Sequence, residues 1–100
     1  MVNVAILATL KAKPGKEQIV EDFLRNALEL ANQEAGTTVW FALKFDASSF
    51  GIFDAFATDA DRETHLAGPI AAALMANAAE LLAEPPSIQK LDILAAKLSN

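Results

Sequence analysis

A chain of 100 residues is the length of one domain, since single cores span roughly 50–200 residues. With 53% hydrophobic and 21% charged residues it is not a disordered chain, and a net charge of −5 disfavours nucleic acid and anionic lipid as partners. The absence of cysteine and a single histidine remove disulfides, thiol nucleophiles and multi-histidine metal centres together.

No apolar run approaches the roughly 18–20 residues of a membrane helix, and no basic segment leads a signal-type apolar core. The expectation is therefore a complete, soluble cytoplasmic protein. Val2–Ala12 alternate and are rich in Val, Ile and Leu, which predicts a strand. Lys13-Pro14-Gly15 breaks it. From Glu17 to Ala35, Ile19, Val20, Phe23, Leu24, Ala27, Leu28 and Ala31 form the stripe of an amphipathic helix, which Gly36 is placed to stop. Glu21 and Arg25 stand four apart, in the order that favours an ion pair.

Thr37–Asp46 is dense in β-branched and aromatic residues and predicts a second strand. The short polar stretch Asp46-Ala47-Ser48-Ser49 suits a hairpin connection into a third, Phe50–Ala57, in which Gly51 suggests a bulge. Thr58 then supplies an N-cap, followed by acidic residues in the first turn. Gly68-Pro69 ends that short helix and starts another that runs to about Ala83; Pro85-Pro86 stops it, and Ser87–Ala95 is the last strand. The order β-α-β-β-α-β predicts an α+β, ferredoxin-like domain: a four-stranded antiparallel sheet with helices on one face. An unrelated two-layer α+β domain with another strand order is the alternative.

Such a sheet should alternate between apolar and polar positions. Here Val39, Phe41, Leu43 and Phe45 fill one side of the second strand, while Trp40 and Ala42 are apolar on the other. In the third, Phe53, Ala55 and Ala57 oppose Ile52 and Phe56; in the first, Ala5 and Leu7 oppose Val4, Ile6, Ala8 and Leu10. Both sheet faces are apolar and the helices cover one, so a homodimer through the other is expected. Trp40 is assigned to that dimer interface, with a pocket wall as the alternative.

No glycine-rich phosphate loop, GxSxG elbow or HExxH is present. His65, near the end of the short helix, is a surface or capping histidine, or a proton acceptor or hydrogen-bond donor at a pocket rim. Asp54, mid-strand among aromatic residues, needs a partner or a cavity, and Lys44 is the cross-strand candidate. Asn77 falls on the apolar stripe of the last helix, where a buried amide either bridges to backbone or faces a ligand. The alanines around it either let that helix approach closely or leave an apolar pocket above the sheet.

The first strand running into Lys13-Pro14-Gly15-Lys16, the helix carrying Phe23, and above all Ala60–Pro69 (ADRETHLAGP) resemble the antibiotic biosynthesis monooxygenase family of the dimeric α/β-barrel superfamily. The resemblance covers nearly the whole chain, and His65 falls on the family's histidine. It implies one domain over residues 1–100, two protomers joined by their sheets into a barrel, and a pocket between sheet and helices. It also implies a cofactor-independent monooxygenase that uses O₂ on a small aromatic or quinol substrate, deprotonated so that its carbanion reduces O₂. On this resemblance His65 is the catalytic base or orienting donor, Asp54 and Asn77 are polar pocket groups, and Phe41, Phe56 and Met75 are pocket walls. Met75 stands where the haem-degrading branch carries its axial histidine, which excludes that branch. Ile70 and Phe56 replace a second histidine and a tryptophan frequent in quinol-oxidising members. Those replacements favour the competing expectation, a non-enzymatic small-ligand binder or stress-related dimer on the same fold.

Overall fold

The computed structural model describes residues 1–99. Its elements are β1 (Val4–Lys11), α1 (Glu17–Asn32), β2 (Val39–Lys44), β3 (Ser49–Phe56), α2 (Asp59–Leu66), α3 (Pro69–Leu81) and β4 (Ser87–Asp92). The strands form one antiparallel sheet in the order β2-β3-β1-β4, the ferredoxin-like arrangement expected. No helix among the described residues is long and apolar enough to cross a membrane.

Gly15 takes the left-handed conformation (φ 86°) that the turn before α1 requires, and its N–H donates to Glu17 Oε1 at 2.9 Å. Helix α1 then lays Val20, Leu24, Ala27 and Ala31 on the sheet. It ends at Asn32, short of the expected Ala35. The chain past it turns inward, with Glu34 N–H donating to the Ala31 carbonyl and Thr37 N–H to the Glu34 carbonyl. Thr58 caps α2 as expected, its hydroxyl accepting from Asp61 N–H at 3.1 Å. The break at Gly68-Pro69 is also as expected, with Pro69 opening α3 where no N–H is needed.

The helix-covered face of the sheet carries Ile6, Ala8 and Leu10 of β1 opposite Asp54, Ile52 and Phe50 of β3. Phe50, Phe56, Ile70 and Val20 are the largest apolar side chains sealed there, each worth about 1.5–3 kcal/mol of burial. Helix α2 departs from this apolar pattern, because its buried residues are Arg62 and His65, three positions apart. Arg62 donates from Nη1 to the carbonyls of Ala5 and Leu91 and from Nη2 to Asp59, which fixes α2 against β1 and β4.

The other face is apolar without helices over it. Val2, Ala5 and Ala55 are packed there with Val39, Phe53, Leu91 and Ile93, while Phe41 (55% exposed) and Phe45 (54%) stand out from it. Gly51 makes no bulge: the β1–β3 register runs unbroken through Thr9↔Gly51. The glycine serves packing instead, since a Cβ there would lie 2.9 Å from both the Ala8 carbonyl and the Phe45 ring.

Candidate active site

Three elements meet at His65. Helix α2 presents the ring, β3 supplies Asp54, and the turn after α1 supplies Glu34. The ring's Nε2 is 2.8 Å from Asp54 Oδ2, and its Nδ1 is 2.5 Å from Glu34 Oε1. The imidazole is 7% exposed and Asp54 1%, so this is an interior cluster. Carboxylates accept and do not donate, so a ring bonded to one at each nitrogen carries both protons. Burial by itself would lower the pKa of His65. The hydrogen bonds the ring donates to Asp54 and Glu34, with the charges of those carboxylates, override burial and raise it to about 9.

His65 is therefore held as a cation at neutral pH. A ring held in this way orients and stabilises charge, the orienting-donor side of the expectation for His65. Phe56 covers it, ring centroids 5.4 Å apart at a 45° tilt. On the opposite side Thr37 Oγ1 donates to Glu34 Oε1 at 2.7 Å, so one carboxylate oxygen is held from two directions. Glu34 Oε2, Asp54 Oδ1 and Trp40 Nε1 are buried with no hydrogen bond among the described residues. The cluster thus has one donor and two acceptors uncommitted. A groove of about 290 Å³ opens beside Glu34 and His65, walled by Gly36, Thr37, Asp61, Thr64 and Pro69.

The other expected site residues are placed as follows. Trp40 and Phe41 have exchanged places. Trp40 lies directly across from Asp54 on the helix-covered face, packed against Ala27, Ala31 and Ile70, and not on the exposed sheet face. Phe41 projects from that exposed face and walls no pocket with His65. The alternation of β2 fixed the two as opposites without saying which face the helices take. Lys44 is not the partner of Asp54; it lies opposite Phe50 and pairs with Glu21 at 3.0 Å. Met75 is exposed on α3, away from the cluster.

Asn77 lines the space between sheet and helices with Leu10, Val20, Phe23 and Leu74, but its Nδ2 donates back to the Ala73 carbonyl at 2.8 Å. That space is only about 10 Å³, room for one water molecule at most. Helix α3 fills that space with Ile70, Leu74 and Leu81, and its alanines lie half-buried or exposed, so they leave no pocket above the sheet. Glu34 is the member of the cluster that the sequence concealed. Its only local signal is an acidic residue two positions before Gly36, and in an amphipathic reading it passes for part of a wet helix face.

No family model matches the chain, nor does any curated protein. Among solved structures, a protein of unknown function from Nitrosomonas europaea is 60% identical, with all of this chain and 97% of that one covered at a TM-score of 0.97. A second Nitrosomonas europaea protein, named as a candidate antibiotic biosynthesis monooxygenase, is 19% identical over 92% of this chain and 90% of its own, with a TM-score of 0.81. A candidate antibiotic biosynthesis monooxygenase from Caulobacter crescentus is 21% identical over 94% and 92%, with a TM-score of 0.79.

Proposed function

Because the chain belongs to the family of the Nitrosomonas europaea protein of unknown function and has the antibiotic biosynthesis monooxygenase fold, we propose that it is a homodimeric oxidoreductase. It uses O₂ to oxidise a small aromatic or quinol substrate, without a cofactor. The carrying observation is the Glu34–His65–Asp54 line, a buried cation between two carboxylates whose outer member opens on a groove.

The roles follow from the charges. An arenol in the groove sets its hydroxyl, or the acidic C–H of its keto tautomer, against the Glu34 carboxylate, which takes the proton. The fixed imidazolium of His65 stabilises the anion that forms, at no cost of reorganisation because Asp54 already orients it. The carbanion reduces O₂. A CH₂ centre becomes a carbonyl, one oxygen atom staying with the substrate and the other leaving as water, so both electron pairs come from the substrate. The uncommitted Trp40 Nε1 and Asp54 Oδ1 are further polar groups beside His65. The homodimer forms through the exposed sheet face, where Phe41 and Phe45 are the anchors.

Oxygen uptake with a panel of hydroquinones tests this. Glu34→Gln and His65→Ala are each expected to lower the rate by about 10²–10⁴, the usual contribution of a proton-transfer group; rates unchanged in both would contradict the proposal.

The commitment of both imidazole nitrogens favours a second reading, a non-enzymatic small-ligand binder. Thermal shift with the same panel, compared aerobically and anaerobically, separates the two. Binding without oxygen uptake selects the binder.

A further inference from the structure

The groove beside the cluster is rich in acceptors and poor in donors. Glu34 and Asp61 line it, and no lysine or arginine does so among the described residues. The arginine of α2, Arg62, points elsewhere, to the carbonyls of Ala5 and Leu91. The two threonine hydroxyls of the groove are spent as donors, Thr37 on Glu34 Oε1 and Thr64 on the Ala60 carbonyl. His65 has committed both ring nitrogens. What stays open is carboxylate oxygen. Glu34 Oε2 is buried without a hydrogen bond, and the carboxylate of Asp61, half-buried, is engaged by no donor or cation among the described residues.

Asp61 stands four positions before His65 on α2, so the two share a helix face. Two glycines clear the space around the open oxygens. A Cβ at Gly36 would lie 2.7 Å from Asp61 Oδ1, and one at Gly68 would lie 3.4 Å from Glu34 Oε2 and 3.2 Å from the His65 carbonyl. The turn after α1 and the residue before α3 thus approach the two carboxylates with backbone alone.

Charge and size then select the ligand. A carboxylate accepts hydrogen bonds and donates none. A molecule that leaves the half-buried Asp61 without a donor, or sets an anion beside it, is penalised. The volume of about 290 Å³ is at the small end of the roughly 300–1,000 Å³ of small-molecule sites, which suits one ring with its substituents. The reaction offered above sets the arenol hydroxyl against Glu34, which leaves Asp61 to meet the rest of the ring. We propose that Asp61 is the specificity-determining residue of this groove. It accepts a hydrogen bond from a second donor, hydroxyl or ammonium, on a single-ring arenol, and it rejects arenols that carry an anionic group. This selection rests on the groove being the substrate site.

Three probes test it: hydroquinone, 2-(2,5-dihydroxyphenyl)ethylamine and 2,5-dihydroxyphenylacetate, the last two alike in ring and opposite in side-chain charge. Calorimetry under anaerobic conditions reads binding without need of turnover. The wild type is expected to bind the amine at least about tenfold more tightly than the carboxylate, since like charges side by side are costly. Asp61→Asn, its fold checked by far-UV circular dichroism, is expected to bring that ratio close to one. A wild-type ratio of one or below, or a ratio that Asp61→Asn leaves unchanged, overturns the role of Asp61 alone. Absence of binding by all three probes overturns the groove as substrate site and Asp61 with it. Oxygen uptake with the same probes in air keeps the two readings apart: charge selection without uptake overturns the oxygenase and leaves the assignment of Asp61 supported.

Discussion

His65 is the residue on which most of the proposed chemistry turns, and its protonation has a thermodynamic consequence. The folded state raises its pKa from 6.5 to about 9, so the native protein binds this proton more tightly than the unfolded chain does. Its contribution is fully present below pH 6.5 and is lost as pH rises through 9; the shift corresponds to about 3 kcal/mol. Urea unfolding between pH 6 and 10 should show this decline in the wild type and a flatter profile in His65→Gln, whose amide has no proton to lose. An identical pH profile in the two would contradict it.

At this same scale the sequence was uneven as a guide. His65 was legible because it is the sole histidine in a recognisable segment, and Asp54 because a carboxylate between aromatic strand residues demands a partner. The partner itself was not legible. Lys44 is near in sequence and oppositely charged, but two registers on the same strand put Trp40 across from Asp54. Glu34 was invisible, because its role depends on a turn that folds inward from a helix end and meets a ring 31 residues away.

Between elements, local chemistry marked the boundaries and tertiary contact trimmed them. Gly68-Pro69 and Thr58 act within a few residues of themselves, and they fall where the sequence places them. The end of α1 does not, because Glu34 and Thr37 are drawn into the cluster and the helix stops at Asn32. Gly51 shows the same limit in β3. Glycine inside a strand signals either a bulge or a close approach, and only the fold reveals that the Phe45 ring lies over it. Gly51→Ala should cost about 1–3 kcal/mol of stability, because the new methyl meets the fixed Ala8 carbonyl as well as the ring. Thermal unfolding of that variant is the check, and an unchanged midpoint would show that the strand yields without cost.

For the molecule as a whole, the pattern of two apolar sheet faces was fully legible, while the assignment of each face was not. Alternation sets Trp40 against Phe41 on opposite sides; it takes the packing of α1 and α3 to put Trp40 inside and leave Phe41 at the surface. That single assignment separates the two parts of the account. The helix-covered side holds the charged cluster and its groove, and the bare side is the surface on which the proposed homodimer rests. The cluster is also what joins the halves of the fold, since it ties the turn after α1 to α2 and to the centre of β3. The most direct test of the whole is therefore the titration of its one imidazole by ¹H–¹⁵N NMR, unambiguous in a chain with a single histidine. Both ring nitrogens should be protonated at pH 7 and titrate together near 9; a neutral ring at pH 7, titrating at or below 6.5, would contradict the buried cation and the chemistry built on it.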